Sequence, residues 1–369
     1  MPESEPVEAV VADVAILGAG PVGCALALAL QGSGFDVVLV AGSRAARRDA
    51  SAGPAPFRPL ALSYASRLIL ERVGAWEGLD ATPIEQIHVS QAGGFGRTKI
   101  LREELGVPAL GYVTDYGTVA AHLAGRVRGT IRTLAESAPP ARLVVHAEGS
   151  VRGRVVEKDY GHSAIVAAVE SERSAHGVAW ERFTTEGPLA LLPLGDGYGM
   201  VWSRSSTAAA SLMTLGDHEF LGTLQEAFGN RAGKFVSVGA RSATPLFLRY
   251  RTGESTAGEV HIGNAAQSLH PVAGQGLNLG LRDAWELATL LRASSRDALG
   301  SAALAANFAR TRRVDTQATI RATDLMATLY VRRDPLSSAL RGMALTALDI
   351  FPPARKSFAR RMIFGASAW

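Results

Sequence analysis

The stretch that decides the fold is DVAILGAGPVGCALALAL, residues 13–30. It begins as an apolar strand and continues as a charge-free helix, and a second apolar strand follows at residues 36–40. Between strand and helix, Gly18, Gly20 and Gly23 have the G-x-G-x-x-G spacing. We therefore predict a βαβ unit that binds a dinucleotide, with Gly18 in the turn, Gly20 beneath the pyrophosphate and Gly23 where helix and strand touch.

A second glycine-rich stretch, HIGNAAQSLHPVAGQGLNLGLRDAWELATLL (residues 261–291), has the same arrangement near the other end of the chain. Residues 258–262 are typical of a strand, and apolar positions recur at helical spacing over 277–291. A helix N-terminus offers unpaired N–H groups, and glycine lets an anion or an electron-rich ring approach them closely. The stretch is either a second ligand loop or a tight turn without a ligand.

Bulk properties place the chain among ordinary globular proteins. It has 369 residues, 47% of them hydrophobic and 20% charged, and its formal net charge is +4. Basic residues cluster at 310–313, 332–333 and 355–361, either as solvated faces or as a contact with an anionic membrane. There is no zinc-ligand spacing and no recognition-helix signature, so a metal site is not expected and nucleic acid is disfavoured.

Cysteine usage and the first residues bear on the compartment. Cys24 is the single cysteine, which excludes a disulfide framework and fits a reducing cytosol, and a packing role is favoured over a reactive one. The first residues are acidic and lack the basic start of a secretory signal. We expect a cytoplasmic protein.

The middle of the chain differs from its ends. Short alternating strands are predicted at 163–169, 178–183, 189–192 and 199–203, followed by a helix at 217–228. The last hundred residues are mostly helical in pattern. This describes a sheet-rich insertion in an α/β chain.

Two glycine loops separated by a β-rich segment resemble the aromatic-ring hydroxylase family of flavoprotein monooxygenases. The resemblance is strongest to the ubiquinone-biosynthesis hydroxylases of the 2-octaprenyl-6-methoxyphenol hydroxylase type. The matching motifs are residues 18–23, RPLALS at 58–63, ERFTTEGPLALLP at 181–193, RSATPL at 241–246, and residues 263–283.

The resemblance implies an α/β fold like that of para-hydroxybenzoate hydroxylase. A Rossmann-like FAD-binding domain would carry an inserted β-sheet substrate domain and end in a helical C-terminus. The implied ranges are 1–80, 110–150 and 255–320 for the FAD-binding domain, 81–109 and 151–254 for the substrate domain, and 321–369 for the C-terminal helices.

The cofactor that the resemblance implies is FAD, with NAD(P)H as a transient co-substrate. The second loop would touch the ribityl and pyrophosphate groups first and then pass the isoalloxazine ring. The residues assigned to FAD in this way are Gly18, Gly20, Pro21, Gly23, Arg58, Glu148, Gly263, Asn264, Pro271, Gly274, Gln275, Gly276, Leu277 and Asn278.

The implied reaction is hydroxylation of a polyprenylated phenol by O₂ through a flavin C4a-hydroperoxide, and it requires no particular side chain as a base. His270, beside the flavin-adjacent Pro271, is either a base or a structural histidine, and the structural role is favoured. Glu181 and Arg182 form either an ion pair at the rim of the substrate domain or a solvated pair, and the solvated pair is favoured.

Three positions depart from the family pattern. Ala41 stands where an acidic residue usually holds the ribose, Ala121 where a glutamine is frequent, and Glu148 where an aspartate is usual. They motivate an alternative: a catalytically weakened homologue that acts as a structural or lipid-presenting subunit of a quinone-synthesis complex. A plain NAD-dependent dehydrogenase is disfavoured, because the second glycine loop has no place in it.

The C-terminal segment, residues 343–369, combines apolar and basic residues. We expect it to contact the inner face of the cytoplasmic membrane, from which a polyprenyl substrate would be taken. The alternative is that Leu345 and Phe351 pack on the FAD-binding domain and the arginines are solvated.

Overall fold

The computed structural model describes residues 12–42, 56–135, 137–151, 153–252, 256–269, 274–331 and 335–366. Its strands are β1 (Ala12–Leu17), β2 (Val37–Val40), β3 (Pro59–Ser63), β4 (Thr82–Ile84), β5 (Gln86–Gln91), β6 (Arg97–Leu101), β7 (Gly111–Asp115), β8 (Arg132–Leu134), β9 (Ala141–His146), β10 (Val155–Ser171), β11 (Val178–Thr184), β12 (Gly187–Leu194), β13 (Gly197–Ser205), β14 (Phe235–Val238), β15 (Ser242–Arg251), β16 (Glu259–His261) and β17 (Gln267–Ser268). Its α-helices are α1 (Pro21–Ala29), α2 (Tyr64–Arg72), α3 (Arg102–Leu105), α4 (Tyr116–Val127), α5 (Ser206–Thr214), α6 (Asp217–Phe228), α7 (Gln275–Arg292), α8 (Ala302–Val331), α9 (Pro335–Ile350) and α10 (Pro352–Phe364).

The first sheet is parallel throughout, in the order β16-β9-β1-β2-β8. Strands β1, β2 and β16 correspond to the strands predicted before Gly18, at 36–40 and at 258–262, and they share this sheet, with β9 between β1 and β16. One face packs with α1 and α7 on the largest apolar core. Strand β9 ends at His146, and the next residues, Ala147 and Glu148, pass close to Gly18.

The second sheet has the order β17-β15-β10-β13-β12-β11-β5-β6, and β14 joins it on β10. One of its faces forms a core with α5 and α6. The strand predicted at 163–169 is only part of the 17-residue β10, whose first half is polar and shows no buried alternation. A smaller antiparallel sheet has the order β3-β7-β4.

The C-terminal helices are tied to the rest of the chain by buried charges. Arg312 of α8 donates to Asp283 of α7 and to Asp315, and Arg282 also pairs with Asp315. The basic cluster at 310–313 is therefore not simply a solvated face, since Arg312 is buried.

The predicted membrane segment is only partly exposed. Arg355 lies 2.8 and 2.9 Å from the carboxylate of Glu104, and Ile363 is buried, so neither faces outward. Phe351, by contrast, is 58% exposed, so the alternative that it packs inside is wrong. Among the described helices, none is long and apolar enough to cross a membrane.

Candidate functional site

Two of the three glycines in the first loop are required by the chain itself. Gly18 has φ +110°, and a Cβ there would lie 2.8 Å from the backbone of Ala147. A Cβ at Gly23 would collide with the carbonyl oxygen of Gly18. These contacts agree with the turn and packing roles predicted for Gly18 and Gly23.

Gly20 is different, because nothing in the described chain occupies the space beside it. Its backbone is extended (φ −74°, ψ 177°), and the nearest atom to a Cβ would be the Tyr116 hydroxyl at 3.8 Å. Gly20 is the N-cap of α1, no side chain caps this helix, and Pro21 occupies its first turn. The open space therefore faces uncapped backbone at a helix N-terminus, where an anion is favoured.

Arg58 lies next to this loop. Its guanidinium stacks on the Tyr116 ring at 5.2 Å, and its backbone N–H donates to Asp115, which caps α4. The residue of α4 that approaches Gly20 is thus Tyr116 in the first turn, whereas Ala121 is exposed further along the helix.

The second glycine loop meets the first at Val22. A Cβ at Gly263 would lie 3.1 Å from a Val22 methyl group, and one at Gly280 would lie 2.7 Å from it. Gly263 has φ +56°, and its N–H donates to Asp283 of α7. Two loops far apart in sequence therefore form one surface, with the half-buried Asn264 beside Gly263.

Asn278 has a structural task that the sequence did not indicate. Its side-chain oxygen accepts from Ser63 N–H at 2.8 Å and from the Ser66 hydroxyl at 2.7 Å. Its amide nitrogen donates to the carbonyl oxygens of Ala61 and Gly274. With these four bonds the buried side chain fastens α7 to β3, so it orients the loop rather than a ligand.

Among the described residues, the first turn of α7 is otherwise open. Gly274 is its N-cap in a left-handed conformation (φ 60°), and no side chain caps the helix. A Cβ on Gly276 would meet no atom of the described chain within 4 Å. Gln275 is buried and donates to Met362, and Leu277 packs partly on the main core.

Some of the predicted residues fall outside the described part of the chain. His270 and Pro271 lie there, as do Ser43 and Arg44, which follow the ribose position. Ala41 is described: it directly follows β2, and its N–H donates to the carbonyl oxygen of Leu134 at 2.8 Å.

Glu148 belongs to a cluster of titratable groups at the ends of β9 and β16. Its carboxylate lies 3.2 Å from His146 Nδ1, and His146 stacks on His261 with ring centres 4.3 Å apart. Burial, followed by the nearby His146 and Arg251, lowers the pKa of His261 to about 4. His261 is therefore neutral at physiological pH.

This cluster also contains Glu259, so that His146, Glu259 and His261 could in principle hold a cation. The two imidazole rings are within 10° of parallel. The nitrogen lone pairs of parallel stacked rings lie in two separate parallel planes, so they do not converge on one point. We therefore assign no metal to this cluster.

Glu181 and Arg182 are not a pair, which corrects both interpretations made from the sequence. They are neighbours in β11, so their side chains point to opposite faces of the sheet. Arg182 donates to the carbonyl oxygen of Ala227 in α6. Glu181 is half-buried on the other face, and burial raises its pKa to about 7.

Two known proteins are similar in sequence to this chain over most of its length. Ubiquinone hydroxylase UbiL of Rhodospirillum rubrum is 32% identical over 95% of this chain and 89% of the relative. The 3-demethoxyubiquinol 3-hydroxylase of Escherichia coli is 29% identical over 73% of this chain and 77% of the relative. No protein-family model matches the chain.

Among solved structures, p-nitrophenol 4-monooxygenase PnpA of Pseudomonas putida has a TM-score of 0.74 at 16% identity, covering 97% of this chain and 99% of that one. PqsL of Pseudomonas aeruginosa has a TM-score of 0.72 at 20% identity, covering 91% of this chain and 99% of that one. These likenesses confirm the predicted fold class.

Sequence similarity to UbiL, together with the shared fold and the two glycine loops joined at Val22, places the chain in the class of FAD-dependent aromatic-ring monooxygenases. Within that class, the chain belongs to the family of ubiquinone-biosynthesis hydroxylases. The described residues fit FAD, because they leave space beside Gly20 and at the uncapped start of α7, where an anionic cofactor is stabilised.

Proposed function

We propose that this protein hydroxylates a polyprenylated phenol in ubiquinone biosynthesis, using FAD, NAD(P)H and O₂. The single observation that carries the proposal is the surface formed by the two glycine loops at Val22, with open space beside Gly20. The names of the similar hydroxylases from Rhodospirillum rubrum and Escherichia coli support the substrate class.

Each part of the chain then has a task in holding the cofactor. The N-terminus of α1, above Gly20, would receive the pyrophosphate, and Arg58 would add positive charge beside it. The N-terminus of α7 would favour negative charge on the flavin ring, and Asn278 would hold that helix in place through β3. FAD itself supplies the redox and oxygen-transfer chemistry.

The domain division is part of the same proposal. The ranges 1–80, 110–150 and 255–320 would bind FAD, and 81–109 with 151–254 would form the wall over the substrate. In support, β5 and β6 pair into the same sheet as β10–β13, across a long stretch of sequence. One strand departs from these ranges: β17, at residues 267–268, falls in the FAD-binding range but pairs with β15 of the substrate-domain sheet.

The test is product formation by the purified protein. We expect that NADH or NADPH with a phenol carrying a short prenyl chain yields a product heavier by one oxygen atom, and that this atom comes from ¹⁸O₂. Mass spectrometry measures it. Flavin reduction without any incorporation of ¹⁸O would reject the proposed substrate class.

We also propose that the C-terminal helices touch the inner face of the cytoplasmic membrane. Their exposed side chains include the apolar Met343, Ile350, Phe351 and Phe358 and the basic Lys356 and Arg360. Apolar groups beside cations favour an anionic surface, with each cation adding about 1 kcal/mol near it. Partners in a quinone-synthesis complex are the alternative source of the lipid substrate.

Sedimentation with vesicles containing anionic lipid tests this contact. Replacing Lys356 and Arg360 by glutamine should reduce binding roughly tenfold or more at low salt. Arg128→Gln, at an exposed position after α4, is a suitable control, whereas Arg312→Gln is not, because Arg312 is buried. Equal binding by wild type and the double variant would mean that delivery comes from a partner.

A further inference from the structure

A row of side chains crosses the second sheet on one face. Val89, Glu181, Ala190, Val201 and Val166 lie side by side on β5, β11, β12, β13 and β10. All five are half-buried, and four of them are apolar. Glu181 is the one charged residue of this row.

The opposite face of the sheet packs against helices α5 and α6. Trp180, Leu191 and Met200, the neighbours of this row along their strands, point into the core with α5 and α6. That core is complete without Glu181.

The face that carries Glu181 looks toward the predicted cofactor site. In the next row, Ala179 belongs to a core that includes Ile363 of α10, and Gly199 lies so close to β3 that a Cβ would be 2.5 Å from the Pro59 Cβ. Ala61 of the same strand β3 borders Gly274, at 3.5 Å from the position of a Cβ there. The apolar row with Glu181 is thus a wall that is separated from the second glycine loop by the next row of residues and by strand β3.

The Glu181 carboxyl has no hydrogen bond or ion pair within the described residues, and desolvation is the cause of its raised pKa. Burying a carboxyl without a partner is costly, and such groups are concentrated where a ligand completes them. A pocket with apolar walls and one polar group is the usual design of a site for an apolar ring that bears a single hydroxyl.

We propose that Glu181 accepts a hydrogen bond from the phenol hydroxyl of the substrate and orients the substrate ring against the flavin. The phenol O–H donates to the carboxylate oxygen, and no bond is broken in this contact. The inference rests on the proposed function, since it takes the substrate to be a phenol. Above its raised pKa, where Glu181 is ionised, the carboxylate that accepts from the phenol also raises the electron density of the ring, which oxygen transfer requires.

The test compares two ligands with three proteins: wild type, Glu181→Leu, and the matched control Glu172→Gln, which removes an exposed carboxylate just beyond β10. The ligands are a short-chain prenylated phenol and its O-methyl ether, which cannot donate. We expect wild type and Glu172→Gln to prefer the phenol roughly ten- to hundredfold, and Glu181→Leu to show no preference. Binding is measured by the change in the spectrum of the oxidised flavoenzyme.

Turnover gives a second readout. Glu181→Leu and Glu181→Gln should keep their flavin and oxidise NAD(P)H while converting a smaller share of it into hydroxylated phenol, the remainder appearing as hydrogen peroxide. A Glu181→Leu enzyme with the wild-type preference for phenol over ether would overturn the assignment of Glu181. If wild type binds the phenol but never hydroxylates it, the proposed function fails, and the ligand comparison still decides the role of Glu181.

Discussion

Replacing Gly20 by valine should remove FAD while leaving the fold in place. The described chain offers no obstacle, because the extended backbone accepts any residue and the nearest atom to a Cβ is the Tyr116 hydroxyl at 3.8 Å. Losing a favourable N-cap costs up to about 1 kcal/mol, and stiffening the unfolded chain offsets part of it. The free energy of unfolding should therefore change by less than about 1 kcal/mol.

The effect on FAD should be much larger. A side chain at this position occupies the space predicted for the pyrophosphate and separates it from the backbone N–H groups of α1. Each charge-assisted hydrogen bond lost is worth about 1.5–3 kcal/mol, so affinity should fall at least roughly tenfold, and more than a hundredfold if two are lost.

The assay is titration of the apoprotein with FAD, followed by the quenching of flavin fluorescence, beside urea unfolding of each variant. Gly216→Val is the matched control, since Gly216 is also an extended N-cap glycine, at the start of α6, with nothing closer to a Cβ than 4.0 Å; its N–H donates to Glu219, a bond that valine keeps. It should bind FAD normally. Gly23→Ala should instead fail to fold, because its methyl group collides with Gly18. Wild-type FAD affinity in Gly20→Val would refute the placement of the pyrophosphate.

Three further predictions follow from individual residues. Ala41→Glu should tighten FAD binding roughly tenfold or more in the same titration, by restoring a charge-assisted bond to the ribose, and unchanged affinity would mean that another group already holds it. Cys24 is fully buried, its thiol donates to the carbonyl oxygen of Ala19, and burial raises the pKa of the thiol to about 12. A disulfide reagent at about pH 8 should therefore label Cys24 only after denaturation. Rapid labelling of the native protein would contradict this. Between pH 4.5, the ordinary pKa of a glutamate, and about pH 7, Glu181 keeps a proton in the folded protein that the unfolded chain releases. The free energy of unfolding should therefore fall by up to about 3 kcal/mol as the pH rises through this range. Urea unfolding of Glu181→Gln should lack this fall.

The parallel sheet was predictable because the sequence patterns that specify its strands and glycine loops are short and continuous in the chain. The apolar strands β1 and β2 and the glycines between strand and helix appear as short patterns, and so does the helix α7 after Gly274. The first half of β10 was missed because its side chains are mostly polar and its stability comes from pairing with β15, to which it is not adjacent in sequence.

The site was less predictable, because much of it depends on register and long-range contact. The stacking of His146 on His261 arises from the pairing of β9 with β16, and the junction at Val22 arises from α1 packing on α7. The interpretation of Glu181 and Arg182 as a pair could have been excluded from the sequence, because a strand predicted over 178–183 already places adjacent residues on opposite faces.

The visible absorption spectrum of the purified protein tests the central claim most directly. We predict a yellow protein with one FAD per chain, whose flavin bands disappear when NADH or NADPH is added without oxygen and return when air is admitted with a prenylated phenol, as the hydroxylated product forms. A protein that stays colourless after incubation with excess FAD would contradict the account and favour the structural or lipid-presenting subunit instead.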